Sequence, residues 1–526
     1  MIMKKKYISI LLILPFMVTL VSCLGDLDTK PLDQNELIAD EVYKSPENYE
    51  AVLAKVYAIL VVSGQEGPAG KPDISDLDEG MSQYLRQYWN CQELPTEEAI
   101  CAWADGSLRD FHNQNWTSNM EFVSAMYNRI YSLISISTEF IRNAEDNVVA
   151  GKGFSAEDIA KIKVYRAEAR ALRAMAYLHA IDMFGNVPFV DETTGTGAVM
   201  PQQIKRADLF NWLEKELIDL QNNLAEPRTN VYGRLDKAFA WTLLAKLYLN
   251  AEVYAGVNKY TDCITYCKQI MAGGYSLHSN YAELFMADND RISNEFIFAI
   301  PFDGLKTQSY GGTGFIINAA VGGNVMKPAD YGSQNWGGNR STKQLPEKFA
   351  TEDKRAMFFT EGQKLEINNV GTFTEGYAVI KFTNLKSDGT PGKSAQFADT
   401  DFPLFRLADI YLMYAEAVAR GGQGGDKQIA VGYINELRKR AYGDNSGNIS
   451  DYDLNFILDE RARELYWECH RRTDLIRFGK FSNTTYTWEW KGGIKEGKAV
   501  DAKYDLFAIP SSDMGANTNL VQNPGY

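Results

Sequence analysis

Apolar residues that return every three and four positions, and that are so often alanine, constrain this chain more than any other feature. Val164, Ala167, Ala171, Ala174, Leu178 and Ile181 lie along one face of a helix. Small side chains on that face let a neighbouring helix come close. Gly185 and Pro188 end the run. The same pattern returns over 238–251, 405–419, 429–441 and 456–467. Pairs of such helices predict a mainly α protein in which tetratricopeptide-like hairpins stack into a superhelical frame, although no strict repeat period is present.

Between the helical blocks the texture changes. Residues 64–110 and 302–400 are rich in Gly, Asn, Asp and aromatics and show little helical period. Loops of that length inside a compact domain are usually functional, so they are expected to carry the ligand-binding region as insertions in one globular domain over 43–526.

The first residues read as an export signal. Lys4, Lys5 and Lys6 precede a mostly apolar run over 7–21 that is too short to span a bilayer comfortably. Leu20-Val21-Ser22-Cys23 resembles the lipobox of bacterial lipoproteins, which implies cleavage after residue 22 and lipid on Cys23. Residues 1–22 are then the signal and 23–42 a polar, turn-rich tether. Several acyl chains on one cysteine anchor stably, whereas one binds only marginally.

The formal charge is −14, and loss of residues 1–22, with three lysines and no acids, takes it to −17. Nucleic acid is a poor partner for such a surface. Only four histidines are present, without HExxH or CxxC spacing, so zinc or histidine chemistry has little to draw on. Cys263 and Cys267 share a helix face over 260–271 and read as core residues, as does Cys469. Cys91 and Cys101 lie in a loop-like stretch of an exported chain and are the better disulfide candidates. The charge-dense run 461–477 reads as a helix whose acids and bases pair locally, with Trp467 and Leu475 facing the core.

Ordered motifs then carry a resemblance. Glu168-Ala169-Arg170-Ala171-Leu172-Arg173-Ala174 with Met183-Phe184-Gly185-Asn186-Val187-Pro188 comes first, followed by Phe405-Arg406-Leu407-Ala408-Asp409, Ala415-Glu416-Ala417 and Ile434-Asn435-Glu436-Leu437-Arg438. Glu460-Arg461-Ala462-Arg463-Glu464-Leu465, Asp474-Leu475-Ile476-Arg477-Phe478-Gly479 and the final Gln522-Asn523-Pro524-Gly525-Tyr526 complete the series. Across nearly all of its mature length the chain resembles the SusD-like glycan-binding lipoproteins of the Bacteroidetes outer membrane.

Asn90-Cys91, Glu93-Leu94-Pro95-Thr96, the stretch from Glu283-Leu284-Phe285 to Asp288-Asn289-Asp290, and Trp488-Glu489-Trp490-Lys491-Gly492-Gly493 are similar to starch-binding members in particular. That resemblance implies an arc of sugar-contacting aromatics at Trp103, Tyr310 and Trp336 with Arg86 as polar partner. Two positions depart from the pattern: Cys101 stands where a tryptophan is expected, and Asp105 and Gly106 stand near an expected asparagine. An aromatic face desolvates the apolar side of a pyranose while an arginine donates to its hydroxyl rim. The resemblance also implies calcium at Asp290, Asp399 and Asp401, hard oxygen donors of the required kind.

Function follows as binding of starch-type α-glucan without hydrolysis, and delivery to a SusC-like TonB-dependent transporter, on the outer membrane and facing the medium. No cofactor is required for that. The alternatives are another glycan in the same family, a glycoside hydrolase, which would need two carboxylates across the scissile bond and has no motif singling them out, and a helical-repeat scaffold that binds only protein.

Overall fold

The computed structural model describes residues 39–526 apart from 69, 76, 196–199 and 293. The expected signal, Cys23 and most of the tether lie outside the described residues. By its internal packing the chain divides into residues 1–48 and 49–526. In the described part of the first unit a short helix occupies Ala39–Val42, inside the stretch expected as tether.

The alanine-rich face forms the longest helix, Ala156–Phe184. Ser155 caps it by accepting the Asp158 N–H at 3.1 Å, and Glu157 and Asp158 complement the positive end of the helix dipole. It stops at Gly185, whose φ of 71° suits a residue without Cβ. Ala167, Ala171, Ala174, Leu178 and Ile181 are all buried. The helix lies between Glu121–Asn143 and Arg206–Leu220. The stack continues through Lys237–Leu249, Tyr260–Ala272, Leu407–Ala419 and Lys427–Tyr442, each packed on the one before it, with Leu454–Leu465 also against Leu407–Ala419. Asp236, Asp426 and Asp453 cap the starts of three of these helices. This is the expected frame of stacked helical hairpins.

Among the described residues there are four two-stranded antiparallel ladders, two of which position the insertions. Phe296–Ile300 pairs with Phe402–Arg406, with Ile300 opposite Phe402. The 302–400 excursion therefore leaves and re-enters through one buried ladder. Ile100–Cys101 pairs with Asn339–Arg340, which joins the two insertions to each other.

Three expectations change. Residues 64–110 contain a helix, Tyr84–Glu93, and 302–400 contains another, Gly312–Ala320. Nearly every side chain of both is buried, so neither shows the one-sided period by which a surface helix is read. The run 461–477 is two helices, Leu454–Leu465 and Arg471–Arg477, parted by a turn in which Trp467 and Cys469 have φ of 65° and 67°. Some of its charges pair locally as expected, Arg461 and Arg477 with Asp474 and Arg463 with Glu460, and others also reach across the fold: Arg461 to Asp409, Arg471 to Glu97, Arg477 to Glu416. Trp467 and Leu475 are buried as expected.

Cys91 and Cys101 are both free and buried, one on the Tyr84–Glu93 helix and the other on a ladder strand, so the expected bridge is not formed. Burial pushes the Cys101 thiol up to about 12. Cys263, Cys267 and Cys469 are buried and free.

Candidate functional site

The two buried helices meet through one side chain. Gln83 caps Tyr84–Glu93 by accepting the Arg86 N–H at 2.8 Å, and the same oxygen accepts the Gly312 N–H at 2.8 Å at the start of Gly312–Ala320. A Cβ on Gly311 would meet Gln83 at 2.3 Å, so only glycine allows that approach. Arg86, on the first helix, and Tyr310, just before the second, are thereby set side by side. The Arg86 Nη1 donates to the Tyr310 carbonyl at 2.9 Å and to the Gly80 carbonyl at 3.0 Å.

The far end of Gly312–Ala320 places Trp336. Carbonyls in the last turn of a helix lack intrahelical donors. Here Asn318 O accepts from Trp336 N–H at 3.2 Å and Ala319 O from Gly338 N–H at 2.8 Å, and beyond the helix Val321 O accepts from Gly337 N–H at 2.9 Å. The Ile100–Cys101 ladder continues into an Ala102 N–H bond to Gly338 O at 2.8 Å, which delivers Trp103 to the same place. The Trp103 indole lies over Gly338, where a Cβ would come within 2.5 Å of the ring, and its N–H donates to the Trp336 carbonyl at 3.1 Å.

Trp103, Trp336, Tyr310 and Arg86 thus line one open cleft of about 480 Å³, with Gly80, Met81, Asp105, Leu108 and Phe122 as its other walls. All four residues singled out in the sequence come together. The Trp103 and Trp336 ring centroids are 6.4 Å apart and inclined by 49°; those of Trp336 and Tyr310 are 6.2 Å apart and inclined by 51°. The three rings form an arc, each partly exposed. Tyr310 backs onto Phe397 and accepts a bond from the Gln396 amide at 2.8 Å. The Trp336 indole N–H donates to the Gln334 side-chain oxygen at 3.2 Å.

Arg86 is 9% exposed, stacks 4.4 Å from the Phe315 centroid and has no ion-pair partner among the described residues; its Nε–H is unpaired. Burial pulls its guanidinium down to about 10, partly offset by Cys101, Asp78 and Asp105, so it stays charged at neutral pH. A buried cation with unused donors beside three open aromatic faces suits a neutral, hydroxyl-rich ligand. Gly80, Met81, Leu108, Phe122 and the bridging Gln83 were missed by sequence reasoning. Gln83 carries no motif, and Leu108 and Phe122 read as ordinary core residues. Cys101, at the expected tryptophan position, is buried in the ladder, and Asp105 stands exposed at the rim.

The three acids expected at calcium are neighbours, since beyond burial the charges of Asp290 and Asp399 both raise Asp401, but two of them are engaged by the protein itself. Both Asp399 oxygens accept backbone N–H groups, from Gly304 at 2.8 Å and Lys393 at 2.7 Å, and the Lys393 ammonium is 3.4 Å away. Asp401 accepts from Phe302 N–H at 2.7 Å and from the Tyr232 hydroxyl at 2.5 Å, while Asp290 is exposed. Among the described residues no three His, Cys, Asp or Glu side chains converge closely enough to hold a metal ion. Asp399 and Asp401 instead staple the ends of the large insertion. Burial pushes Asp401 up to about 7, against the lowering effect of its two donors.

A stacked-hairpin frame that presents an open aromatic cleft defines a class of binding protein. Residues 358–526 match the model of the SusD family. The chain is 34% identical to the starch-binding protein SusD of Bacteroides thetaiotaomicron, over 100% of both chains, and 24% identical to SusD-like protein P25 of Formosa agariphila, over 98% and 99%. Among solved structures it is similar to a SusD homolog from Bacteroides thetaiotaomicron, with a TM-score of 0.72, 19% identity and 93% and 99% of the two chains covered. Surface glycan-binding protein A from the same organism, in complex with laminarihexaose, gives a TM-score of 0.69 at 19% identity over 91% and 99%. The chain belongs to the SusD family, whose members bind carbohydrate without catalysis.

Proposed function

We propose that this protein is a cell-surface lipoprotein that captures starch-type α-glucan oligosaccharides in the cleft of Arg86, Trp103, Tyr310 and Trp336. It then hands them to a SusC-like TonB-dependent transporter in the outer membrane. The carrying observation is the arc: successive rings turn by about 50°. Rings in one plane would suit a flat chain, whereas rings that turn follow a chain that curves, as an α-glucan does. Arg86 lines the cleft as the donor to sugar hydroxyls, and Asp105 accepts from them at the rim. The 34% identical relative is named for starch binding, which supports the same ligand.

Lipid on Cys23 keeps the receptor at the membrane; no described helix is long and apolar enough to cross one. Part of the helical frame docks the transporter. The test is a panel of purified mature protein against maltoheptaose, amylopectin, laminarihexaose, cellohexaose and a fructan. Binding of the first two alone is expected. Preference for laminarihexaose, the ligand of the 19% identical neighbour, replaces α-glucan by a β-glucan at the same cleft. Binding of none of them overturns the reading.

A further inference from the structure

The sequence motif Trp488-Glu489-Trp490-Lys491-Gly492-Gly493 takes no part in the cleft, and its geometry is unusual. Trp490, Gly492 and Gly493 have φ of 67°, 69° and 78°. For tryptophan that conformation is an outlier, held only where the surroundings over-determine it. They do so here. The Trp490 indole donates to the Ile367 carbonyl at 3.0 Å. The fully buried Lys491 ammonium donates to the Asn483 and Tyr486 carbonyls, both at 2.9 Å.

This rigid turn forms one wall of a groove of about 490 Å³ whose opposite wall is Asn113-Gln114-Asn115, with Lys498, Asp501 and Tyr504 along its length. The two glycines keep it open. A Cβ on Gly493 would come within 3.0 Å of the Asn113 side chain, and one on Gly492 within 2.8 Å of Lys498. Beside it Gln114 is 2% exposed, its amide donates to Pro95 O at 3.3 Å, and its carbonyl oxygen has no partner. A buried acceptor left unpaired calls for a hydroxyl or water.

We infer that this groove is a second saccharide-binding site, one that takes a further stretch of the polysaccharide held at the first. Its chemistry is that of a neutral polyol. Carboxamides both donate and accept, as sugar hydroxyls do. Tyr504 offers a half-exposed ring, and Lys498 and Asp501 balance in charge. No broad apolar wall is present for a peptide anchor. Leu108 lines the first cleft and Asn113 the groove, so their backbones lie within about 18 Å of one another. A long glycan engaging both gains from effective concentration, while a short one gains little.

This inference rests on the α-glucan reading of the first cleft, and the experiment separates the two. Retention on amylopectin gels and calorimetry with maltohexaose are compared for the wild type, Trp336→Ala and Asn113→Ala/Lys498→Ala. The double variant is expected to bind maltohexaose at the first cleft with unchanged affinity but to lose roughly tenfold in amylopectin retention. Amylopectin is also expected to protect amides 492–501 from hydrogen exchange in the wild type. Unchanged retention of the double variant, with Trp336→Ala defective and no protection over 492–501, overturns the second site. Unchanged retention of Trp336→Ala instead overturns the first.

Discussion

Arg86 and Arg406 are both buried and both lie over phenylalanine rings, at 4.4 Å from Phe315 and 5.8 Å from Phe285. Their hydrogen bonding separates them. Arg406 spends its donors on Glu295, Glu464 and Glu468, and Glu464 is shared with Arg355 and Arg440. Among the described residues Arg86 meets only two carbonyls, and its buried Nε–H has no partner. The first arrangement is closed and fixes the frame. The second is left incomplete, which is what the proposed glycan site would use. The segment that matches the family model, 358–526, holds Arg406 and Glu464, whereas all four cleft residues fall outside it.

The contrast is broken most severely from the frame side. Glu464→Ala takes away the carboxylate that Arg355, Arg406 and Arg440 share in the interior, leaving the remaining acids outnumbered, and should lower stability by about 3–5 kcal/mol, read as a lower denaturant midpoint. Arg86→Ala should leave that midpoint close to the wild type and weaken glycan binding. If Glu464→Ala is neutral, the network is not what holds the frame.

Trp336→Ala removes the middle ring of the arc and should reduce α-glucan affinity by roughly 30-fold, about 2 kcal/mol, with the unfolding midpoint kept.

Acid sharpens the comparison. For Glu460 and Glu464 burial raises the carboxyl, but neighbouring arginines outweigh it and hold both at about 2. Their stabilisation is present above the ordinary carboxylate range and is lost as pH falls toward 2. Asp401, pushed up to about 7, runs the other way: its contribution is complete below about 4 and is lost as pH rises through 7. Glu464→Gln should flatten the acid limb of a stability-versus-pH curve, and Asp401→Asn the slope between pH 4 and 7. Unaltered slopes contradict the assignments.

The smallest effect is expected from Arg86→Lys, which keeps the charge and loses the fork of donors, costing a few-fold in affinity. Because Arg86 stays protonated up to about pH 10, wild-type binding should be flat from pH 5 to 8. A midpoint in that range assigns the polar contact to another group.

How much was legible in the chain follows the same divide. The longest frame helix is one-sided only over its first turns and is buried nearly all round from Ala167 onward, so what announces it is the recurrence of small residues at Ala167, Ala171 and Ala174. Tyr84–Glu93 and Gly312–Ala320 are buried on nearly every side, and their sequences carry no such period. Arg86, Trp103, Tyr310 and Trp336 could be named from local motifs. Their assembly depends on Gln83 bridging two helix starts and on a two-residue ladder between Ile100–Cys101 and Asn339–Arg340, contacts more than two hundred residues apart. Of the pairing in 461–477 only the local part was legible, Asp474 with Arg461 and Arg477; the partners Asp409 and Glu416 come from another helix.

Calorimetric titration of maltoheptaose into the wild type and into Trp336→Ala, with thermal unfolding of both, tests the central claim most directly. The account predicts saturable binding by the wild type, a loss of roughly 30-fold or more in the variant, and matching unfolding midpoints. Equal affinities for the two proteins would contradict it.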